Sequence, residues 1–540
     1  MHAVIDWLDR NIFELGRQMR LSYLPPLMVY VAAGVAGLTS IVGMFFVKER
    51  LGLSAEFLAG LGFWAGLPWV LKMPLGHLVD LMWRWKSILV YIGAFLIAVS
   101  LLIMIGLLGY QRQMTAVMSV EAWFVLTTLL SPIGYVVQDV VADAMTVEAV
   151  PRHDEAGLLL GEEARRLMHT TMQTLGRVAI IGGSLLVSGV NVFLLAGVSQ
   201  LSELEKARAY QGIYELALII PALSVAGVVL ASILFYRERK RLIIQGYSQE
   251  EVNALTLHHA QRPDINWFIL GGGVIFALVS VALGLSEIPY AQEWVFAISM
   301  TIVVFLISRI TKELDPDARN VLVGTAIVIF VFRAMPGPGS GSTWWMIDHL
   351  QFDQQFLASL SLISSALTLL GMFIFRRFMA ERSIAYIVGF LTIVGSILSL
   401  PTLGMFYGLH EWTSAHTNGI VNAHFIAVID TALESPLGQI AMIPMLAWIA
   451  NSAPEKLKAT FFAVMASFTN LALSASQLGT KYMNNLYTVT REVRDQATGL
   501  VITPADYSQL GILLISATLI GLMLPMLTIV LIRMSRYKSA

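Results

Sequence analysis

The stretch SPIGYVVQDVVADAMTVEAVP (131–151) sets Asp139 and Asp143 four residues apart in otherwise apolar surroundings, with Glu148 near its end. On a helix, that spacing puts both carboxylates on one face. Two other apolar stretches each carry one cation, Lys72 and Arg177. At 1.5 Å per residue the two acids sit roughly 9–15 Å inside their cytoplasmic boundary, Arg177 about 12 Å and Lys72 about 15 Å inside theirs. An isolated charge at the centre of a bilayer costs about 2.5–3.5 kcal/mol even on the insertion scale. Four charges sharing a depth are therefore expected to pair or to face a wet cavity. Two roles fit them: a structural salt-bridge cluster, or a site for a solute or a proton. A second set differs in layout. Asp430 and Glu434 are again four apart, and Arg333 precedes MPGPGSGS, which must break a helix. That break either lines a cavity at membrane depth or lies in an outer loop. Arg333 alone would cost several kcal/mol, so it is expected to pair with Glu434 or with an anionic solute. His424, a lone histidine, reads as a core residue rather than a proton relay.

The elements that position these charges follow from composition. The chain has 540 residues, 56% hydrophobic and 13% charged, against roughly 25% charged for soluble domains. A net charge of -1 argues against a general nucleic-acid binder. With no cysteine, disulfides and thiolate metal sites are excluded. There is no Walker loop and no His/Glu zinc spacing, so neither an enzyme nor a cofactor is expected. GGG at 271–273 reads as helix packing. Residues 1–23 interleave apolar residues with charge and read as an interfacial helix. Fourteen stretches are long enough to span a bilayer: 24–47, 55–81, 87–109, 121–147, 170–198, 213–236, 266–286, 292–310, 318–337, 355–375, 383–408, 420–450, 459–482 and 507–532. With both termini cytoplasmic, most of the 35 Lys and Arg fall on the cytoplasmic side. Trp344 and Trp345 are expected at the outer interface.

SPIG (131–134) returns as SPLG (435–438), and LGLSAEFLAGL (51–61) returns as LQFDQQFLASL (350–360) at nearly the same interval. The chain thus reads as two six-helix bundles of like orientation, 24–241 and 317–540. Two extra spans lie in the linker 242–316. Parallel halves of this kind build major facilitator transporters.

GHLVDLMWRWK (76–86) resembles the loop 2–3 signature of the major facilitator superfamily, with Gly76, Asp80, Arg84 and Lys86 in place and Trp83 departing from the usual small residue. Within it the chain is most similar to the folate–biopterin transporter family. The similarity is carried by LGLSAEFLAGLGFWAGLPWVLKMPLGHLVD, QDVVADAMTVE, LQFDQQFLASL and SPLGQIAMIPMLAWIANSAPEKLKATFFAVMASFTN. QDVVADA also resembles the muropeptide permease family. The resemblance implies an all-α integral membrane protein of major facilitator fold, acting as a secondary active transporter by alternating access. Gly76, Asp80, Arg84 and Lys86 would gate, with Asp80 capping the helix that starts near Ala459 and Thr460. The solute site would draw on Lys72, Asp139, Asp143, Arg177, Arg333, Asp430 and Glu434. The expected solute is small, anionic and folate- or pteridine-like, moved in symport with protons by a monomer in the inner membrane. The alternatives are a muropeptide-type permease or a non-transporting scaffold on the same fold.

Overall fold

Lipid offers backbone groups no hydrogen-bond partner, so long apolar runs become long helices. The computed structural model describes residues 14–151, 160–256, 265, 267–286, 288–440, 442, 445, 448, 458–494 and 500–539. The first half contains α1 (Leu21–Arg50), α2 (Ala55–Val70), α3 (Lys72–Leu81), α4 (Ser87–Gly109), α5 (Val120–Ala149), α6 (Glu162–Leu194), α7 (Glu203–Ala217) and α8 (Ile219–Ile244). The inserted hairpin is α9 (Trp267–Leu285) and α10 (Ala291–Ile310). The second half contains α11 (Pro316–Arg333), α12 (Ser340–His349), α13 (Gln354–Ile374), α14 (Ile384–Leu398), α15 (Leu400–Phe406), α16 (Ala423–Glu434), α17 (Lys458–Leu486) and α18 (Leu510–Met534).

Among the described residues, ten helical segments are long and apolar enough to cross a membrane. The other four expected spans, 55–81, 318–337, 420–450 and 459–482, are helical over most of their described residues. The first three are interrupted, after Val70, Arg333 and Glu434, and the fourth carries a row of polar side chains. Of the expected interfacial helix, residues 1–13 lie outside the described residues, and Glu14–Arg17 forms one helical turn.

α1 packs on α6 and α8, and α4 on α5 and α7, around Val42, Phe46, Ile97, Leu107 and Ile213. In the second bundle α11 and α14 pack on α18, around Leu322, Val328, Met465 and Ile529. The bundles meet along two seams, α2 with α17 and α6 with α13. The inserted hairpin covers the first seam, with α9 on α3 and α10 on α17. Adjacent residues of α10 hold opposite bundles. Gln292 Nε2 donates to the Gly60 carbonyl on α2 (3.1 Å), and Glu293 accepts from Lys481 (3.3 Å) and Tyr482 (2.5 Å) on α17. Of the three glycines at 271–273, Gly273 is the one at a close contact: a Cβ there would lie 2.5 Å from Pro74 Cβ.

The first two of these helix breaks have named causes. Pro74 has no N–H to give the Val70 carbonyl. That carbonyl instead accepts Ser467 Oγ (2.9 Å), and the Trp69 carbonyl accepts Asn470 Nδ2 (3.2 Å). α2 therefore ends at Val70, two residues before Lys72. The second break follows from PGPG at 336–339, where Gly339 has φ 73°. Ser476 donates to the Met335 carbonyl (2.7 Å), Thr480 accepts from Gly337 N–H (3.0 Å), and Asn484 donates to the Pro338 carbonyl (3.2 Å). These three are spaced i, i+4, i+8 on α17, one face of that helix. They supply the partners that the broken backbone lost, and the chain resumes as α12. The all-α expectation misses one small feature. Between α17 and α18, β1 (Val493–Arg494) pairs antiparallel with β2 (Val501–Thr503).

Candidate functional site

The first charge set converges. Lys72, set at the α2–α3 break, places Nζ 2.6 Å from Asp139 and 2.8 Å from Asp143 on α5. Tyr30 of α1 donates its hydroxyl to Asp143 (2.6 Å). One ammonium is thus shared by two carboxylates, and three helices meet at one polar point. Arg177 on α6 lies within electrostatic range of Asp139 and Tyr30. Among the described residues it has no ion-pair partner, so its guanidinium is the cation of the set still available to an anion.

The loop 2–3 residues sit at the end of α3. Lys86 Nζ reaches Glu148 (2.6 Å) at the end of α5, donates to the Trp83 carbonyl (3.3 Å) and lies 4.3 Å from the Trp83 ring centroid. Trp83, the departure from the usual small residue, therefore supports Lys86. Arg84 is exposed. A Cβ at Gly76 would meet nothing within 4 Å, so close packing does not explain that glycine. The Ala459 and Thr460 side chains expected to meet Asp80 lie outside the described residues.

The second set does not pair as expected. Arg333 Nε donates to the Thr469 carbonyl (3.2 Å) and Nη1 contacts Met442 Sδ (3.6 Å). It borders a cavity of about 40 Å³ walled by Ile329, Phe332, Ile384, Ile387, Val388 and Met445. Among the described residues no carboxylate pairs with it, so the expected Arg333–Glu434 pair is not formed. The reason is helical phase: Arg333 turns toward α14 and α17, while Glu434 turns toward α13. Glu434 lines a separate groove of about 390 Å³ with Ser361, Ser364, Thr368, Thr431 and Ser435. Asp430, one turn earlier, has a buried Oδ1 with no hydrogen-bond partner among the described residues. His424 packs between the rings of Phe352 (5.0 Å) and Phe356 (4.4 Å), as a core residue would.

A third group escaped the sequence reading. At the end of the molecule carrying the 51–54 and 350–353 turns, Arg491 reaches across from the α17–α18 loop to the carbonyls of Lys48 and Leu51, and to that of Leu53 (3.4 Å). Its guanidinium lies 4.8 Å from the Trp344 ring centroid. Beside it, Lys48 pairs with Asp348 (2.5 Å), and Tyr507 donates to the same carboxylate (2.6 Å). These contacts tie α1 of the first bundle to α12 and the α17–α18 loop of the second. Arg491 is 3% exposed, and burial pushes its guanidinium down to about 10, against the opposing pull of Tyr507 and Asp348. It stays charged at neutral pH. Trp344 and Trp345 are 2% and 5% exposed, so the expected place at an outer interface is wrong: Trp344 forms the floor of this clasp. Cross-bundle contacts of this kind have no local sequence signature, because their members are hundreds of residues apart.

Residues 199–539 match the BT1 family. The chain belongs to that family. Over 470 residues it is 24% identical to the folate-biopterin transporter of Synechocystis sp., covering 85% of this chain and 74% of the relative. It is also 24% identical over 160 residues to a putative folate transporter 2 of Plasmodium berghei, spanning 30% of this chain and 34% of that one. In fold it is similar to a POT family transporter solved with 5-aminolevulinic acid, with a TM-score of 0.59 at 12% identity covering 96% of both chains. It also resembles the nucleoside transporter NupG, with a TM-score of 0.50 at 14% identity covering 95% and 99%. This BT1 member is a multi-pass membrane transporter of major facilitator fold, not an enzyme.

Proposed function

We propose that the chain moves a folate- or pteridine-like organic anion across the membrane by alternating access, in symport with protons. The observation that carries this reading is the sharing of Lys72 between Asp139 and Asp143. While both acids are ionised, the ammonium is committed to them. A proton on either acid loosens that hold, and Lys72, with Arg177 in electrostatic range of Asp139, can then take a solute carboxylate. By linkage, a solute bound there favours the protonated acid, so each ligand raises the affinity for the other. The similarity to a folate-biopterin transporter over most of the chain supports the solute class.

In this reading the Arg491–Asp348 clasp faces the outside and shuts that end. Opening it requires breaking the Lys48–Asp348 pair and withdrawing Arg491 from its carbonyls, which separates the bundles there. The Lys86–Glu148 pair stays within the first bundle and fixes the loop 2–3 geometry during that movement.

The test is uptake of labelled folate and biopterin by proteoliposomes, with and without an inward proton gradient. Accumulation driven by the gradient, lost in Asp139→Asn/Asp143→Asn, is the expected result. Uptake that ignores the gradient removes proton coupling. Uptake of a muropeptide but of neither pteridine transfers the reading to that solute class, and binding without uptake of any solute favours a scaffold.

A further inference from the structure

The groove between α13 and α16 contains more polar capacity than the protein uses. Thr368 Oγ1 donates to the Ser435 carbonyl (2.9 Å), and Ser435 Oγ donates to the Thr431 carbonyl (2.5 Å). Those two hydroxyls serve the backbone where Pro436 ends the regular hydrogen bonding of α16. The hydroxyls of Ser361, Ser364 and Thr431 make no hydrogen bond to any described residue, and among the described residues no cation pairs with Glu434. All four line the same cavity of about 390 Å³, a volume within the range of small-molecule sites. Ser361, Ser364 and Thr368 are spaced i, i+3, i+7 and so form one stripe of α13, while Leu360 supplies an apolar edge. An ionised carboxylate is acceptor-only, and its two oxygens match two parallel N–H donors. Hydroxyls beside it can both donate and accept. Such a wall suits a flat, uncharged heterocycle whose edge presents adjacent ring N–H and exocyclic NH2 groups. It repels carboxylates.

Among the described residues, the cations of the two charge sets are elsewhere. Lys72 and Arg177 belong to the first bundle, and Arg333 is spent on Thr469 and Met442. The groove and the cluster therefore have opposite chemistry. We infer that the protein reads its solute in one orientation: Glu434, with Ser361, Ser364 and Thr431, receives the amino-heterocycle head, while Lys72 and Arg177 receive the anionic tail. This rests on the folate-like reading of the solute and adds the polarity of its binding.

Binding to purified wild-type, Glu434→Gln and Arg177→Gln proteins tests it with two half-solutes. Pterin carries the head alone, and 4-aminobenzoylglutamate carries the tail alone. Losing a charge-assisted hydrogen bond is expected to weaken affinity roughly tenfold to a hundredfold. Glu434→Gln should impose that loss on pterin and leave 4-aminobenzoylglutamate within about twofold. Arg177→Gln should do the reverse. If both variants weaken both probes equally, or if Glu434→Gln leaves pterin unchanged, the assignment is overturned. If the wild type binds neither probe nor whole folate, the solute reading itself fails, which is a separate result. Should Glu434→Gln not yield monodisperse protein, Ser364→Ala/Thr431→Val removes two hydroxyls of the same wall without touching charge. It should weaken pterin alone, and an unchanged pterin affinity there overturns the assignment equally.

Discussion

Arg491 holds carbonyls of one bundle while its guanidinium lies 4.8 Å from the ring centroid of Trp344 in the other. A cation over an indole is worth about 2 kcal/mol when desolvated, and the carbonyl bonds add to it. Arg491→Ala should therefore open this end. The chain has no cysteine, so Ala55→Cys, placed where Ala55 is 2% exposed beside Trp344, gives a single reporter. A membrane-impermeant maleimide should leave that reporter unlabelled in the otherwise wild-type protein and label it when Arg491→Ala is added. Equal labelling in both would remove the clasp from the gating cycle.

The Lys48–Asp348 pair should behave as a charge pair and not as two independent residues. Its side chains are 16% and 31% exposed, so screening is partial. Lys48→Asp and Asp348→Lys should each slow uptake, and the swapped double variant should recover part of it. A double-mutant cycle on thermal stability should return a coupling of about 1 kcal/mol. A coupling near zero would leave Tyr507 as the functional partner of Asp348.

Lys72→Met leaves two close carboxylates without their shared ammonium. Removing one partner of a fully buried pair costs about 3–5 kcal/mol; this cluster is half-buried, so the cost is smaller, and the yield of monodisperse protein should still fall. Lys72→Met/Asp143→Asn should recover much of that yield but not gradient-driven uptake. Recovery of uptake as well would make the cluster structural.

Arg333 offers the opposite case. Its neighbours are apolar side chains, a thioether and a backbone carbonyl. Arg333→Met keeps volume and removes a costly charge, and such replacements are often neutral or stabilising. Thermal stability in detergent should be unchanged or higher, and uptake should stay within about twofold. A large loss of uptake with normal stability would return Arg333 to the solute pathway.

Gly34 on α1 meets α6 backbone to backbone. A Cβ there would collide with the Ile180 carbonyl, and one at Gly183 would lie 2.8 Å from the Val31 carbonyl. Small residues are what allow helices to approach this closely in lipid. Gly34→Ala and Gly183→Ala should each destabilise by about 1–3 kcal/mol, the cost of overpacking, read as a lower melting temperature of the detergent-solubilised protein.

The legible parts were those with local or periodic signals. Apolar runs marked the helices, and repeated peptides marked the two halves. The spacing of Asp139 and Asp143, with Lys72 and Arg177 at similar depth, marked the first charge set. Of the two partners expected for Arg333, Glu434 or an anionic solute, the first was suggested by depth alone, and among the described residues that pair is not formed. Depth follows from residue count, but the facing of a side chain depends on rotation about the helix, which the PGPG break and the turn at Ser435–Leu437 leave unspecified in sequence. Trp344 was misplaced for a related reason: an aromatic near a span end suggests an interface until a cation from a distant loop covers it. The clasp and the α17 ladder of Ser476, Thr480 and Asn484 depend on long-range contacts that no local pattern announces.

The inserted hairpin changes the symmetry of any movement. Gln292 grips α2 and its neighbour Glu293 grips α17, so one seam is stapled at its edge while, among the described residues, the α6–α13 seam has no such cover. Two halves tied along one side do not part like the jaws of a clamp. They swing like a door on one jamb, and the wider gap must appear on the side away from the hairpin.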